Sequence, residues 1–474
     1  MDKLTKIIAT IGPACNSEET IAGLISAGVD VFRFNFKHNT PKWHNDQILL
    51  VNRVAKKLDK HVGTLIDLQG PEIRINMPTE EIKIFKDEVL LFGEEAFNSK
   101  QKGFSISSPQ IISNIKVGQR IVADDGNFNF SFEKQHDKYY LRSNSQGILK
   151  NRKSLNIPGA DFPFPVLISR DFQALEIAQR NQIDFVALSF VRTEEDIQML
   201  RREMKKYNLQ AKVIAKIETK KVFDHLDKII ALSDGIMVAR GDMGVELPVE
   251  EVPYYQKLII KQTIKRGIPV ITATQMLQSM TENPVPTRAE VSDIANATYD
   301  LTDAIMLSAE TAIGKYPIEA VDIMRKTASF NEQKNQVDSR VRFQFEVNDT
   351  RSVICDAAYG IYMILKNQKK QIAGFLVFTE SGKTAQLVSR YRPLAPIFAL
   401  APNKKVADSL TLSFGVLPFD RTLIFKKISK KDEIVKTINF LLQKKLIKRS
   451  QILIALFGDF GKKGNTSSLR IIEI

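Results

Sequence analysis

Apolar residues fall along this chain in short unbroken runs. Eight of them, rich in isoleucine and valine and each ending in polar or glycine residues, span Lys6 to Gly12, Val31 to Phe36, Gly63 to Leu68, Phe185 to Phe190, Lys212 to Ile217, Gly235 to Arg240, Pro269 to Thr274 and Ala304 to Ala309. Runs apolar on consecutive positions suit parallel strands covered on both faces, because an antiparallel strand with one wet face would alternate. Most gaps between them hold a helix-period segment, such as Glu18 to Ala27 or Glu194 to Tyr207. Strand and helix thus alternate eight times, and an α/β (β/α)8 TIM barrel is the expected architecture.

One gap breaks the rhythm. Between Leu68 and Phe185 lie alternating segments, among them Glu81 to Phe85, Arg120 to Ala123 and Tyr139 to Leu141, with turn signals including Asp125-Gly126. Alternation with turns predicts a small β-barrel inserted into the larger one. After Lys326 a new helix at Ser352 to Leu365 opens a second series, with strands at Ala373 to Phe378, Ile397 to Leu400 and Ile452 to Phe457. The expected division is a barrel in two parts (1–70 and 168–337), an inserted β-rich domain (71–167) and a C-terminal α/β domain (338–474).

Composition narrows the chemistry. At roughly 150 residues per domain, 474 residues suit two to four domains. Two cysteines, Cys15 and Cys355, rule out a disulfide framework, and the five histidines show no metal-ligand spacing. A formal net charge of +14 favours anionic partners, including phosphorylated metabolites. No apolar stretch reaches the ~20 residues that span a bilayer, and a cytoplasmic protein is expected.

A barrel of this kind gathers its active site at the C-terminal ends of its strands. Strand two ends in Arg33, Asn35, Lys37 and His38, strand three in Asp67 with Glu72 and Arg74 beyond, strand five in Lys216 and Glu218. Strands six to eight end in Arg240, Gly241 and Asp242, in Thr274 and Gln275, and in Ser308 and Glu310. Glu218 and Asp242, from neighbouring strands, suit one Mg²⁺, which takes one or two carboxylates and fills its other positions with substrate oxygens and water. Lys216 lies two residues before Glu218, so both face the same side of their strand. Singly, each position is as well explained by a helix cap or a solvated loop. Thr287-Arg288-Ala289-Glu290 is read as a capping box at a helix start.

Several long strings resemble pyruvate kinase: Thr10-Ile11-Gly12-Pro13, Val213-Ile214-Ala215-Lys216-Ile217-Glu218, Ser233 to Asp242, Ala273-Thr274-Gln275-Met276-Leu277 and Pro286-Thr287-Arg288-Ala289-Glu290. The resemblance implies phosphoryl transfer from phosphoenolpyruvate to ADP, giving pyruvate and ATP. Carried over, Lys216, Arg33 and Thr274 would be catalytic, with Glu218 and Asp242 holding Mg²⁺ or Mn²⁺. Gly241, Asp242, Thr274 and Ser308 would bind substrate. Asn35, His38, Arg74 and Lys153 would serve the nucleotide, with Pro13 and Trp43 beside the base. Thr379, Ser381, Gly382, Lys383 and Thr384 would form the turn for a phosphorylated effector, the insert would close as a lid, and four copies would form a homotetramer.

The departures are as informative. The family's monovalent-cation site would use Asn35, Asp67 and the carbonyl of Leu68, but the position that usually carries its serine is Lys37, whose ammonium offers no lone pair to K⁺. Either Lys37 supplies the missing charge against Asp67 and removes the need for K⁺, or it turns to solvent. Gln69, Asn39 and Ala309 also depart from the family pattern. A catalytically degenerate binding protein and a Mg²⁺-dependent pyruvate-handling lyase are the rival readings. The run from Arg421 to Arg449 sets ten basic residues against Asp432 and Glu433. Such a run is ordinarily a solvated helix face, so neither nucleic acid nor membrane is an expected partner.

Overall fold

A computed structural model describes residues 3–160, 162, 164–335, 338–425, 430–458 and 466–474. Eight parallel strands close into a barrel: β1 (Lys6–Thr10), β2 (Val31–Asn35), β3 (Gly63–Asp67), β4 (Phe185–Leu188), β5 (Lys212–Ile217), β6 (Gly235–Ala239), β7 (Val270–Ala273) and β8 (Ala304–Leu307). Each pairs with its neighbour in sequence, and β8 pairs back on β1. All eight coincide with the unbroken apolar runs. Their side chains are buried almost throughout because helices cover the outside while Ile8, Val31, Leu65, Phe185, Ile214, Met237, Ile271 and Met306 fill the interior.

The barrel's lower rim carries a fourfold repeat that hydropathy does not reveal. An aspartate stands immediately before every even strand: Asp30, Asp184, Asp234 and Asp303. Each carboxylate accepts the backbone N–H of a residue on the preceding odd strand, Ile7 (2.8 Å), Thr64 (2.9 Å), Val213 (3.0 Å) and Val270 (3.0 Å). Side-chain oxygens thereby extend the hydrogen-bond ladder past the strand ends, where backbone donors would otherwise lack partners.

Helix boundaries follow local chemistry. Glu18–Ala27 starts at Ser17, whose hydroxyl accepts the Thr20 N–H, and stops at Gly28, whose φ of +118° a side chain would disfavour. Thr287 and Glu290 form the expected capping box for Arg288–Tyr299, and Glu290 also accepts the Ser279 N–H and hydroxyl.

Between β3 and β4 the insert folds into a closed seven-stranded barrel reaching from Ile73–Asn76 to Ser154–Asn156, with a two-stranded ribbon, Glu81–Ile84 against Gly147–Lys150. Phe92, Phe104, Phe130 and Phe132 pack at its centre. The C-terminal unit is a five-stranded sheet in the order Val416–Asp420, Ile397–Ala401, Ile372–Phe378, Ile452–Gly458, Thr466–Glu473, the last strand antiparallel.

That C-terminal unit also seals the barrel's lower end. Leu412 is fully buried among the interior residues of the barrel, Phe414 N–H donates to Asp303 (3.0 Å), and the Lys6 ammonium donates to the Val416 carbonyl (2.7 Å). Gly63 permits the close approach, since a Cβ there would lie 2.3 Å from Thr411 Oγ1. Of the basic run, Lys426 and Lys427 lie outside the described residues, as do the side chains of Lys430 and Lys431. Arg421 pairs with Glu380 (2.9 Å) and Lys444 with Asp59 (2.7 Å). No helix among the described residues is long and apolar enough to cross a membrane.

Candidate active site

At the upper end of the barrel, charged side chains converge that the sequence scatters over two hundred residues. Lys216, the second-last residue of β5, places its ammonium 2.8 Å from Glu218 Oε1, 3.2 Å from Asp67 Oδ1 and 2.8 Å from Ser189 Oγ. Arg33, near the end of β2, donates through Nε to Asp67 Oδ2 (2.8 Å) and through Nη1 to Thr10 Oγ1 (2.9 Å). All six groups are buried.

The electrostatics are unequal. Burial opposes the charge of Asp67, but Lys216 and Arg33 outweigh it and hold the carboxyl below its usual range. Burial likewise opposes the charge of Lys216, and Asp67, Glu218 and Asp242 together override it, so the ammonium stays protonated well above the ordinary lysine range. At Glu218 and Asp242 burial wins, and both carboxyls are pushed up. Three acids, Asp67 and Glu218 buried and Asp242 half-buried, share two full cations, and the last two are left under-neutralised. Glu218 Oε2 accepts the Phe190 N–H (2.8 Å), whereas Oε1, though close to Lys216, is aligned with no hydrogen-bond donor. A buried, poorly satisfied carboxylate oxygen beside a second acid is the donor set that a small hard dication fits.

Around this centre the other strand ends supply shape. Thr274 (φ +68°) and Gln275 (φ +55°) are both left-handed, an uncommon conformation for residues with side chains. Arg240 grips this bend: its guanidinium donates to the carbonyls of Ala273 (3.2 Å) and Thr274 (2.5 Å) and pairs with Asp293 (2.7 Å). Thr274 Oγ1 donates to the Ala273 carbonyl (2.7 Å) and accepts the Gly241 N–H (2.8 Å). The Gly241 N–H, on a residue expected to bind substrate, is thus engaged by the Thr274 hydroxyl. Gly241 and Asp242 lie in the first turns of a short helix, Arg240–Glu246, rather than in a turn. Ser308 donates its N–H to Glu310 (2.7 Å), and its buried hydroxyl has no hydrogen-bond partner among the described residues.

Lys37 does not oppose Asp67. Its ammonium lies 2.6 Å from Glu72 Oε1, because Asp67 is already matched by Arg33 and Lys216. The three oxygens expected for a monovalent cation are also engaged: Asn35 Oδ1 by the Lys37 N–H (3.1 Å), Asp67 by its two cations, and the Leu68 carbonyl by Ser189 Oγ (2.7 Å).

The nucleotide-side residues are more dispersed. Arg74 pairs with Glu72 and donates to the Arg152 carbonyl, and Lys153 pairs with Asp124 of the insert (2.6 Å). Pro13 and His38 are exposed, and Trp43 is half-buried against the barrel core, edge-on to His44. A cavity between insert and barrel is lined by Lys37, Glu72, Asp125, Ser154 and Asp242. In the effector turn only Ser381 is exposed. Lys383 reaches into the barrel domain to donate to the Gly267 carbonyl (3.3 Å), Thr384 bonds Thr466 (2.7 Å), and Thr379 accepts the Gly382 N–H (3.0 Å). No site residue is expected from β4, yet Ser189 and Phe190, just past its end, hold Lys216 and Glu218. The position of Ser189 after an apolar run is the only trace of this in the sequence.

A strand-end cluster of an ammonium, a guanidinium and two under-neutralised acids, beneath an inserted β-barrel, is the arrangement of a barrel enzyme with a charged, strand-end active site. Family models agree. "Pyruvate kinase, barrel domain" matches residues 2–321, and "Pyruvate kinase, alpha/beta domain" matches residues 360–472. A pyruvate kinase of Staphylococcus aureus (strain MRSA252) is 40% identical over 419 residues, 87% of this chain and 71% of that one. The pyruvate kinase of Geobacillus stearothermophilus is 36% identical over 478 residues, covering 99% and 80%. The chain belongs to the pyruvate kinase family, and its function is that of the family, phosphoryl transfer from phosphoenolpyruvate to ADP. The lyase and degenerate readings are not favoured.

Proposed function

We infer that the work of this transfer divides among the strand-end residues as follows. Glu218 and Asp242 hold Mg²⁺ or Mn²⁺, which when bound supplies charge to offset the phosphoryl and enolate oxygens. Arg33, fixed by Asp67 and Thr10, clamps the phosphate. Lys216, kept protonated by three acids, faces the oxygen on which negative charge develops as the phosphorus leaves it. Thr274 stands where the enolate carbon takes its proton, and Ser308 Oγ and the Asp242 N–H meet substrate oxygens. Asn35, His38, Arg74 and Lys153 serve the nucleotide with Pro13 and Trp43 at the base, and closure of the insert excludes water during transfer. The observation that carries this reading is the poorly satisfied Glu218 Oε1 beside the protonated Lys216.

Catalysis is independent of K⁺. The support is that Lys37 stands in the serine's place with its ammonium fixed on Glu72 (2.6 Å), while the oxygens a monovalent cation would use are already engaged by Lys37 N–H, Arg33, Lys216 and Ser189. Pyruvate release from phosphoenolpyruvate should require ADP and Mg²⁺ and stay unchanged when K⁺ is replaced by tetramethylammonium at fixed ionic strength. Lys37→Ser should then create a K⁺ requirement. Turnover of the parent protein that climbs steeply with K⁺ overturns this reading. A phosphorylated effector at Thr379 to Thr384 would have to draw Lys383 off the Gly267 carbonyl. A cytoplasmic homotetramer completes the proposal.

A further inference from the structure

The insert joins the barrel through two chain crossings, one leaving β3 and one returning before the helix Ser169–Arg180. Asp171, in the first turn of that helix, is fully buried. Its Oδ2 accepts the Ile168 N–H (2.9 Å), which is ordinary capping of its own helix. The same carboxylate also accepts N–H groups a hundred residues away on the outgoing crossing, Gln69 at 2.8 Å and Gly70 at 3.3 Å. A cap needs only the first of these bonds. One carboxylate thus ties both crossings together at the point about which the insert must turn.

The adjacent residue reaches the other way. Arg170 donates to the carbonyls of Phe36 and Asn39 and, at 2.9 Å, to that of His38. His44 Nε2 shares the His38 carbonyl (2.8 Å), and Asn39 is left-handed (φ +55°). Three carbonyls turned toward one guanidinium fix the loop after β2, which carries Lys37 and His38.

We propose that Arg170 and Asp171 are positioning residues that act as one unit, coupling the hinge of the insert to the loop bearing Lys37 and His38. Both sit in one helical turn, so displacement of the hinge passes to the loop, and closure over the nucleotide and placement of the loop become a single movement. Neither is bonded to Arg33 or Lys216, which on the phosphoenolpyruvate side make their own contacts with Asp67. The proposal rests on the division of roles inferred above.

Kinetics with each substrate varied separately test it, using Arg170→Lys, Asp171→Asn and the double variant. Each single change should lower kcat by roughly ten- to hundredfold and raise the KM for ADP, as loss of alignment at a distance does, while the KM for phosphoenolpyruvate stays within about twofold. The double variant should be no worse than the worse single one, because residues acting as a unit are not additive. Trp43, the only tryptophan, sits just past the loop, and its fluorescence response to ADP should shrink in every variant. Additive losses, or a raised phosphoenolpyruvate KM at unchanged kcat, overturn the proposal. If Asp171→Asn does not fold, Arg170→Lys decides alone, and unchanged kcat with an unchanged Trp43 response rejects the coupling. A parent protein without ADP-dependent pyruvate release would refute the assigned reaction instead, a distinct result.

Discussion

The two ends of the barrel carry buried acids to opposite purposes. At the lower end each carboxylate has its partners: Asp303 accepts the N–H groups of Val270 and Phe414 and pairs with Arg392 at 2.5 Å, and Asp184 accepts both the N–H and the hydroxyl of Thr64. At the upper end Glu218 Oε1 and Ser308 Oγ are buried and lack hydrogen bonds. Burying a poorly matched polar atom is unfavourable, and a bound ligand is one way to supply the match. Among these acids the fully hydrogen-bonded ones tie strand ends together, whereas the one with an oxygen left to an ion pair alone stands at the reacting end.

The contrast can be broken by neutralising one acid at each end. Glu218→Gln should lower kcat by roughly a thousandfold, in line with loss of one charge-stabilising group. Its unfolding midpoint in urea should be unchanged or raised, because the charge removed is one that burial already disfavours. A marked loss of stability would show that Glu218 holds the fold together. Asp303→Asn should do the reverse. It leaves Arg392 buried without its counter-charge and should lower unfolding free energy by about 3–5 kcal/mol, with kcat of the folded protein within about twofold. Comparable loss of kcat there would mean the two ends are coupled.

The smallest expected effect sharpens the contrast, since it concerns a structural group at the upper end. His44 stacks on Phe36 (4.1 Å), its Nε2 bonds the His38 carbonyl, and its buried Nδ1 makes no hydrogen bond. Burial lowers its pKa to about 4. The neutral ring is the one the fold accepts, so this stability is fully present above the unfolded value of about 6.5 and declines as pH falls toward 4, by about 2 kcal/mol at pH 5. Urea unfolding at a series of pH values should show that decline, and His44→Gln should flatten it.

Much of the site was legible because strand ends are legible. Lys216, Glu218 and Asp242 follow from where apolar runs stop, combined with the rule that a barrel works at that edge. Pairing was not legible. Lys37 was left between Asp67 and solvent, and its partner is neither but Glu72, 35 residues on, since Arg33 and Lys216 had already claimed Asp67. Nor did hydropathy mark Ser189, or Asp171 as a joint between crossings, because a lone serine or an acid in a first helical turn has common local explanations. The aspartate before each even strand was present in the chain, but its meaning depends on which N–H lies opposite.

By itself, the order of apolar and polar residues determined eight strands buried on both faces, the insertion between the third and fourth, and the acids and bases at the strand ends. Periodicity reports which face of an element is covered, and it reports this locally. Closure of the insert into seven strands, the seating of Leu412 in the barrel floor and the choice of partner for each buried charge were decided only by the tertiary structure. Those outcomes are competitions among groups far apart in sequence, settled by distance and burial once the chain has folded.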